Sequence, residues 1–163
     1  MVAMDSNGTA ATPKPSGKLV DRKRIERQFA NDAIDYLRPL IAEVAASGKV
    51  DLQLGTASPY DPYGKDIYLK YLNTAVYLTV PRKGILGRKG YRRKVARVIV
   101  HRNKDREVSG LSLQVREKAS SRYSSLFYVD DTRRGVPEGA NEGMREIFAS
   151  KLMNAIGEGQ LKL

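Results

Sequence analysis

The sequence has no cysteine, no tryptophan, one histidine and three phenylalanines. Without cysteine there is no disulfide framework, no thiol nucleophile and no Cys-ligated metal site. His101 is the single imidazole, so a His-rich metal centre is excluded and any Ser-His-Asp chemistry would have to pass through that residue. No apolar run approaches the roughly 20 residues that a membrane-spanning helix requires. Residues 1–16 have no apolar core behind a basic start, so a secretory leader is not expected. The expected location is the cytoplasm or another reducing, nucleic-acid-containing compartment.

The most informative absence is of negative charge. Between Asp66 and Asp105 there is no acidic residue, yet eleven of the 29 Lys and Arg fall there. The eighteen other basic residues balance the eighteen Asp and Glu, so the whole formal net charge of +11 arises in that window. Seven of the eleven cations lie in residues 81–94, where Gly84, Gly87 and Gly90 separate the charge pairs and disfavour a helix. A basic field confined to one stretch speaks of a polyanionic partner, because clustered like charges repel one another unless a ligand neutralises them.

The chain of 163 residues is long enough for one domain with a buried core. Residues 1–18, rich in Ala, Thr, Gly, Ser and Pro, are expected to form a flexible tail, because they have little apolar surface to offset the entropy of ordering. Residues 19–163 are expected to form a single α+β domain. Ile25, Phe29, Ala33, Leu37, Leu40, Ile41 and Val44 recur at helical spacing, with Asp21 as the expected N-cap and Gly48 as the stop. Pro39 interrupts that pattern and predicts a kink or two consecutive helices. The basic residues Arg22, Lys23 and Arg24 fall in the first turn of this helix and oppose its dipole.

Strand patterns follow. Val50, Leu52 and Leu54 alternate with polar residues, and a loop with two repeats, Ser58-Pro59-Tyr60 and Asp61-Pro62-Tyr63, comes next. Residues 67–80 alternate with a change of phase near Asn73, which predicts a bulge or tight turn there. Further strands are expected at 95–101 and 111–115, and in the alternation of Tyr123, Ser125, Phe127 and Val129. A last helix starts near Asn141, with Met144, Ile147, Phe148, Leu152 and Ile156 on one face and Gly157 as its stop. The predicted fold is an antiparallel sheet of about five or six strands, with the N-terminal and C-terminal helices packed on one face. The basic stretch forms a hairpin arm or loop between two strands.

The spacing Gly84-Ile85-Leu86-Gly87-Arg88-Lys89-Gly90 matches neither a Walker loop nor the dinucleotide fingerprint, and no Ser or Thr follows at the metal position. It suits a clamp on a phosphate backbone, where cations supply attraction and glycines let the chain follow the polymer. The candidate nucleic-acid-binding residues are Arg82, Lys83, Arg88, Lys89, Tyr91, Arg92, Arg93, Lys94, Arg97, Arg102 and Lys104. The expected function is a non-catalytic, weakly sequence-specific nucleic-acid-binding protein. Nine tyrosines, whose rings can stack on unpaired bases, favour single-stranded DNA or RNA. No cofactor, metal or membrane partner is expected; an oligomer of the chain is compatible with this reading. The alternative is a structural assembly protein such as a capsid, nucleocapsid or ribosome-associated component. A third reading, a metal-dependent nuclease, would draw on Glu117-Lys118 and Asp130-Asp131.

Deleting residues 1–16 is expected to change unfolding free energy by less than about 1 kcal/mol, measured by urea denaturation; a larger loss would mean that the tail packs on the domain.

Overall fold

In the computed structural model the described residues are 17–61, 72–82, 91–117, 122–130 and 140–163. A long helix α1 (Gly17–Gly48) leads into five strands, β1 (Gln53–Pro59), β2 (Thr74–Pro81), β3 (Arg92–Arg102), β4 (Val108–Arg116) and β5 (Tyr123–Asp130), and a closing helix α2 (Ala140–Gly157). The strands form one open sheet in sequence order β1-β2-β3-β4-β5, every neighbour antiparallel. This is the α+β architecture that the sequence pattern predicts, with five strands.

Both helices cover the same face. Ala33, Leu37, Leu40, Ile41 and Val44 of α1, with Met144, Phe148, Leu152 and Ala155 of α2, meet Val76, Leu78, Val98, Val100, Leu111, Leu113 and Val129 of the sheet in one buried cluster. The rings of Phe127 and Phe148 pack 5.2 Å apart, tilted by 55°. Leu161, beyond α2, folds back into the same cluster, and the carbonyl of Lys162 accepts a hydrogen bond of 2.8 Å from the Arg93 guanidinium.

Several local expectations are corrected. α1 begins at Gly17, four residues before Asp21, so Arg22 and Arg24 lie inside the helix, where they pair with Glu26 and Asp21 at 3.2 and 3.5 Å. Pro39 does not split α1; it sits on the exposed side, where water can serve the carbonyl one turn back. α1 does stop at Gly48, as expected; the residue after it, Lys49 (φ 51°), is the left-handed one, with Val50 N–H bonded to Ala45 C=O at 3.1 Å. α2 likewise ends at the expected Gly157; Gly159 (φ 71°) follows in the left-handed region, and Gln160 N–H reaches Ala155 C=O at 2.9 Å. Ile147 faces outward, leaving Met144, Phe148 and Leu152 as the buried stripe.

The first strand also runs further than the alternation of residues 50–54 predicts, through Ser58 and Pro59, which an edge strand tolerates because one side needs no partner. Residues 67–71 and the Asp61-Pro62-Tyr63 repeat beyond Asp61 lie outside the described residues, as do residues 1–16, 83–90, 118–121 and 131–139. Where a bulge or tight turn is expected, Leu72 is left-handed (φ 57°) and β2 begins at Thr74. Asn73 then joins three strands: its carbonyl accepts from Tyr60 N–H at 2.8 Å and its side-chain oxygen from Arg102 N–H at 2.8 Å.

Register shifts interrupt every strand pair, and they decide which side chains share a face. Leu78 pairs with Ala96 but Thr79 with Lys94, leaving Val95 as an extra residue in β3. Leu113 pairs with Phe127 but Gln114 with Ser125, leaving Leu126 extra in β5. The unbroken alternation expected for residues 123–129 is thereby divided. Phe127 and Val129 pack against the core, while Tyr123 and Ser125 belong to the opposite face.

Phe148→Ala should cost about 3–5 kcal/mol, since the ring is fully buried at the helix–sheet junction. Phe29→Ala should cost clearly less, since Phe29 is only half-buried near the start of the packed part of α1. Chemical denaturation of both variants checks the difference, and equal losses would contradict this packing.

Candidate nucleic-acid interface

The sheet face opposite the helices has a different chemistry. Its centre is a row of buried residues, Ala75, Ile99 and Ser112, over which no described helix lies. Larger polar and aromatic side chains surround this row. The cross-strand register puts Tyr77, Arg97, Gln114 and Ser125 side by side, with Lys94 opposite Thr79 and Arg116 opposite Tyr123.

These residues form a continuous cation–aromatic array. The Lys94 ammonium lies 4.1 Å from the Tyr77 ring centroid, and Tyr77 meets the Tyr123 ring edge-on at 6.0 Å. The Arg97 guanidinium is 4.4 Å from the Tyr123 ring and 5.4 Å from the Tyr60 ring. Gln114 fixes this arrangement: its carbonyl oxygen accepts from Arg97 Nε at 2.7 Å, and its amide donates to Tyr60 Oη at 3.4 Å. Tyr60 thus reaches from the end of β1 across the sheet to β4. Burial and the neighbouring Tyr77 raise the pKa of the Tyr123 phenol, while Arg116 and Arg97 pull it down. Cations held against ring faces are attracted by the ring quadrupole, and an ordered guanidinium plane is itself a surface on which a base can stack.

The sequence-predicted residues divide into distinct groups. Lys94 and Arg97 belong to this array. Arg82 and Tyr91 face each other across the base of the β2–β3 hairpin, joined by a backbone bond of 2.7 Å from Arg82 N–H to Tyr91 C=O. The Arg82 guanidinium also hydrogen-bonds the Tyr91 hydroxyl and lies 5.2 Å from its ring, which is 59% exposed. Strand alternation from Lys94 through Arg93 and Arg92 turns Tyr91 toward the helix side, away from the array.

Arg92 and Arg93 are engaged within the fold. Arg92 donates to Thr79 Oγ1, Thr79 C=O and Asp51 C=O, each at 3.0 Å, and pairs with the Asp51 carboxylate at 3.1 Å. Arg93 is bound to the Lys162 carbonyl. Arg102 is 9% exposed on the helix side, its guanidinium 4.7 Å from the Phe29 ring and bonded to Arg106 C=O at 2.9 Å. Burial lowers its pKa, with Asp32 opposing the shift. Lys104 is exposed in the β3–β4 turn, at the other end of β3 from the basic hairpin. Lys83, Arg88 and Lys89 lie outside the described residues. Counting charges therefore identified the stretch but missed Tyr60, Tyr77, Gln114, Arg116 and Tyr123, whose shared face depends on register.

A second cluster occupies the far half of the same face. The phenol end of Tyr128 lies directly over Gly110, where an added Cβ would come within 2.5 Å of its hydroxyl and 2.8–2.9 Å of ring carbons. The His101 ring meets Tyr128 edge-on at 5.3 Å, and His101 Nε2 shares a hydrogen bond of 2.7 Å with Ser112 Oγ. Burial lowers the His101 pKa, so the imidazole is neutral at physiological pH. Burial and then Asp130 raise that of the Tyr128 phenol.

Of the residues that the nuclease reading draws on, Glu117 and Asp130 are described, while Lys118 and Asp131 lie outside the described residues. Glu117 follows the end of β4 and accepts a 2.6 Å hydrogen bond from Ser124 Oγ, whereas Asp130 ends β5 opposite Gly110. At about 3.3 Å per residue they are roughly 20 Å apart, too far to share a metal ion. Among the described residues no group of three His, Asp or Glu could hold a metal, and no helix is long and apolar enough to cross a membrane. No protein-family model, curated protein or solved structure matches this chain.

His101 gives this face a measurable pH signature. Its folded pKa lies below the unfolded value near 6.5, so the unfolded chain takes up the proton first as pH falls. The stability it contributes is intact above about pH 6.5 and is lost as pH falls below that value. The melting temperature should fall between about pH 7 and pH 5, and His101→Gln should flatten that fall. An identical pH profile for the variant would mean that the imidazole is solvated.

Proposed function

We propose that this chain is a non-catalytic nucleic-acid-binding protein of weak sequence specificity, contacting phosphates through its glycine-rich basic hairpin and the adjoining sheet face. The observation that carries this reading is the array of Lys94, Arg97 and Arg116 among Tyr60, Tyr77 and Tyr123, next to a stretch that holds the whole charge excess of the chain. Positive charge draws in a phosphate backbone at long range. Tyrosine rings and a guanidinium plane then offer surfaces to bases without requiring one sequence. Position separates the cations: Arg93 and Arg102 lie on the helix side and Arg92 is tied to Asp51 at the sheet margin, whereas Lys94, Arg97 and Arg116 lie on the face that no helix covers, Arg97 oriented there by Gln114.

Filter binding across a salt series, with single- and double-stranded DNA and RNA, tests this reading. If five to seven cations contact phosphates, log affinity should fall against log salt with a slope of about −4 to −6. Replacing Lys94, Arg97 and Arg116 with Gln should reduce that slope by about two to three, nearly equally for all sequences. Arg102→Met should leave it unchanged, because that guanidinium is buried. Wild-type affinity and slope in the triple variant, with the fold intact by circular dichroism, would refute the assignment of this face.

A further inference from the structure

Resting on the nucleic-acid reading, we propose that Tyr128, seated on Gly110 and braced by His101, is a stacking platform for an unpaired nucleobase, so that the ligand of this face is single-stranded. Three observations converge. Gly110 has no side chain, and this allows the Tyr128 phenol to lie against the β4 backbone; a Cβ at that position would collide with three of its atoms. The ring is nevertheless 51% exposed, so the surface turned away from Gly110 faces solvent. The His101 ring stands at 85° to the Tyr128 ring with centroids 5.3 Å apart, limiting its swing, while the bond between His101 and Ser112 limits the imidazole in turn. An exposed aromatic ring held in one orientation by its neighbours loses little freedom when a base stacks on it.

The position relative to the cation–aromatic array sets the geometry of the ligand. Tyr123 and Tyr128 are both on β5, and the extra residue at Leu126 brings these positions, an odd number apart, to the same face. They are separated by about 13–16 Å along the strand. A strand whose phosphates meet Lys94, Arg97 and Arg116 can bring a base three to five nucleotides away onto Tyr128, at about 3.4 Å per nucleotide when stacked and more when extended. A duplex keeps its bases paired and edge-on to the grooves, and cannot present a base face there.

The experiment uses the intact protein, fluorescein-labelled (dT)9 and (rU)9, a labelled trinucleotide and a labelled hairpin duplex. The chain has no tryptophan, so Tyr128→Trp introduces a single reporter whose emission is quenched when a base stacks on it. Quenching should follow the rise in anisotropy for a nine-mer with the same Kd. Tyr128→Ala should weaken the nine-mer by about 10- to 100-fold without altering the salt slope, leave the duplex unaffected, and matter less for the trinucleotide. Tyr128→Phe should stay within about threefold of wild type, and Gly110→Ala should weaken the nine-mer as the displaced ring loses its seat. Anisotropy that rises without quenching, wild-type affinity in folded Tyr128→Ala, or binding of the duplex alone overturns this proposal and leaves the broader reading standing. No binding of any oligonucleotide overturns both. If Tyr128→Trp does not fold, the comparison of Ala with Phe decides.

Discussion

A five-stranded sheet has two faces, and helices α1 and α2 cover one of them. Everything else follows from that asymmetry. The covered face carries Val76, Leu78, Val98, Val100, Leu111, Leu113 and Val129, and its burial against Leu37, Val44, Phe148 and Leu152 supplies the main favourable term in folding. The other face must satisfy its own surface. It does so with Ala75, Ile99 and Ser112 buried along the middle and with tyrosine, arginine, lysine and glutamine side chains that stack and hydrogen-bond around them. Removing the helices from the account would leave no reason for one face to be aliphatic and the other aromatic and cationic.

The same asymmetry sorts the positive charge. Burying a guanidinium is costly unless it is paired or stacked, and Arg102, on the helix side, lies against Phe29 and donates to a carbonyl. Arg92 is tied to Asp51 and Thr79 at the sheet margin, holding the chain before β1 to β2 and β3. Lys94 and Arg97 lie against the rings of Tyr77 and Tyr123 on the uncovered face, and Arg116 sits opposite Tyr123 on that face.

Bulges are the devices that assemble this face. Lys94 and Arg97 are three positions apart and Tyr123 and Tyr128 five, separations that put side chains on opposite faces of a regular strand. The extra residues Val95 and Leu126 reverse that outcome and bring each pair together. Gly110 makes a different contribution, its missing side chain leaving room for Tyr128.

The amino-acid sequence by itself determined the two helices, the run of antiparallel strands and the location of the charge excess, because amphipathic periodicity and composition are local properties of the chain. It also determined that Phe148 and Leu37 are core residues, since each sits at the middle of an apolar stripe. Tertiary structure alone decided which cations are engaged and which face outward: nothing near Arg92 in the chain announces Asp51, and nothing near Arg102 announces Phe29. It likewise decided that Tyr60 reaches Gln114 and that Tyr123 and Tyr128 share a face. The physical reason is register. A single inserted residue turns all that follows to the other side of a strand, and whether it is accommodated as a bulge depends on the packing of the neighbouring strands and helices rather than on the residue itself.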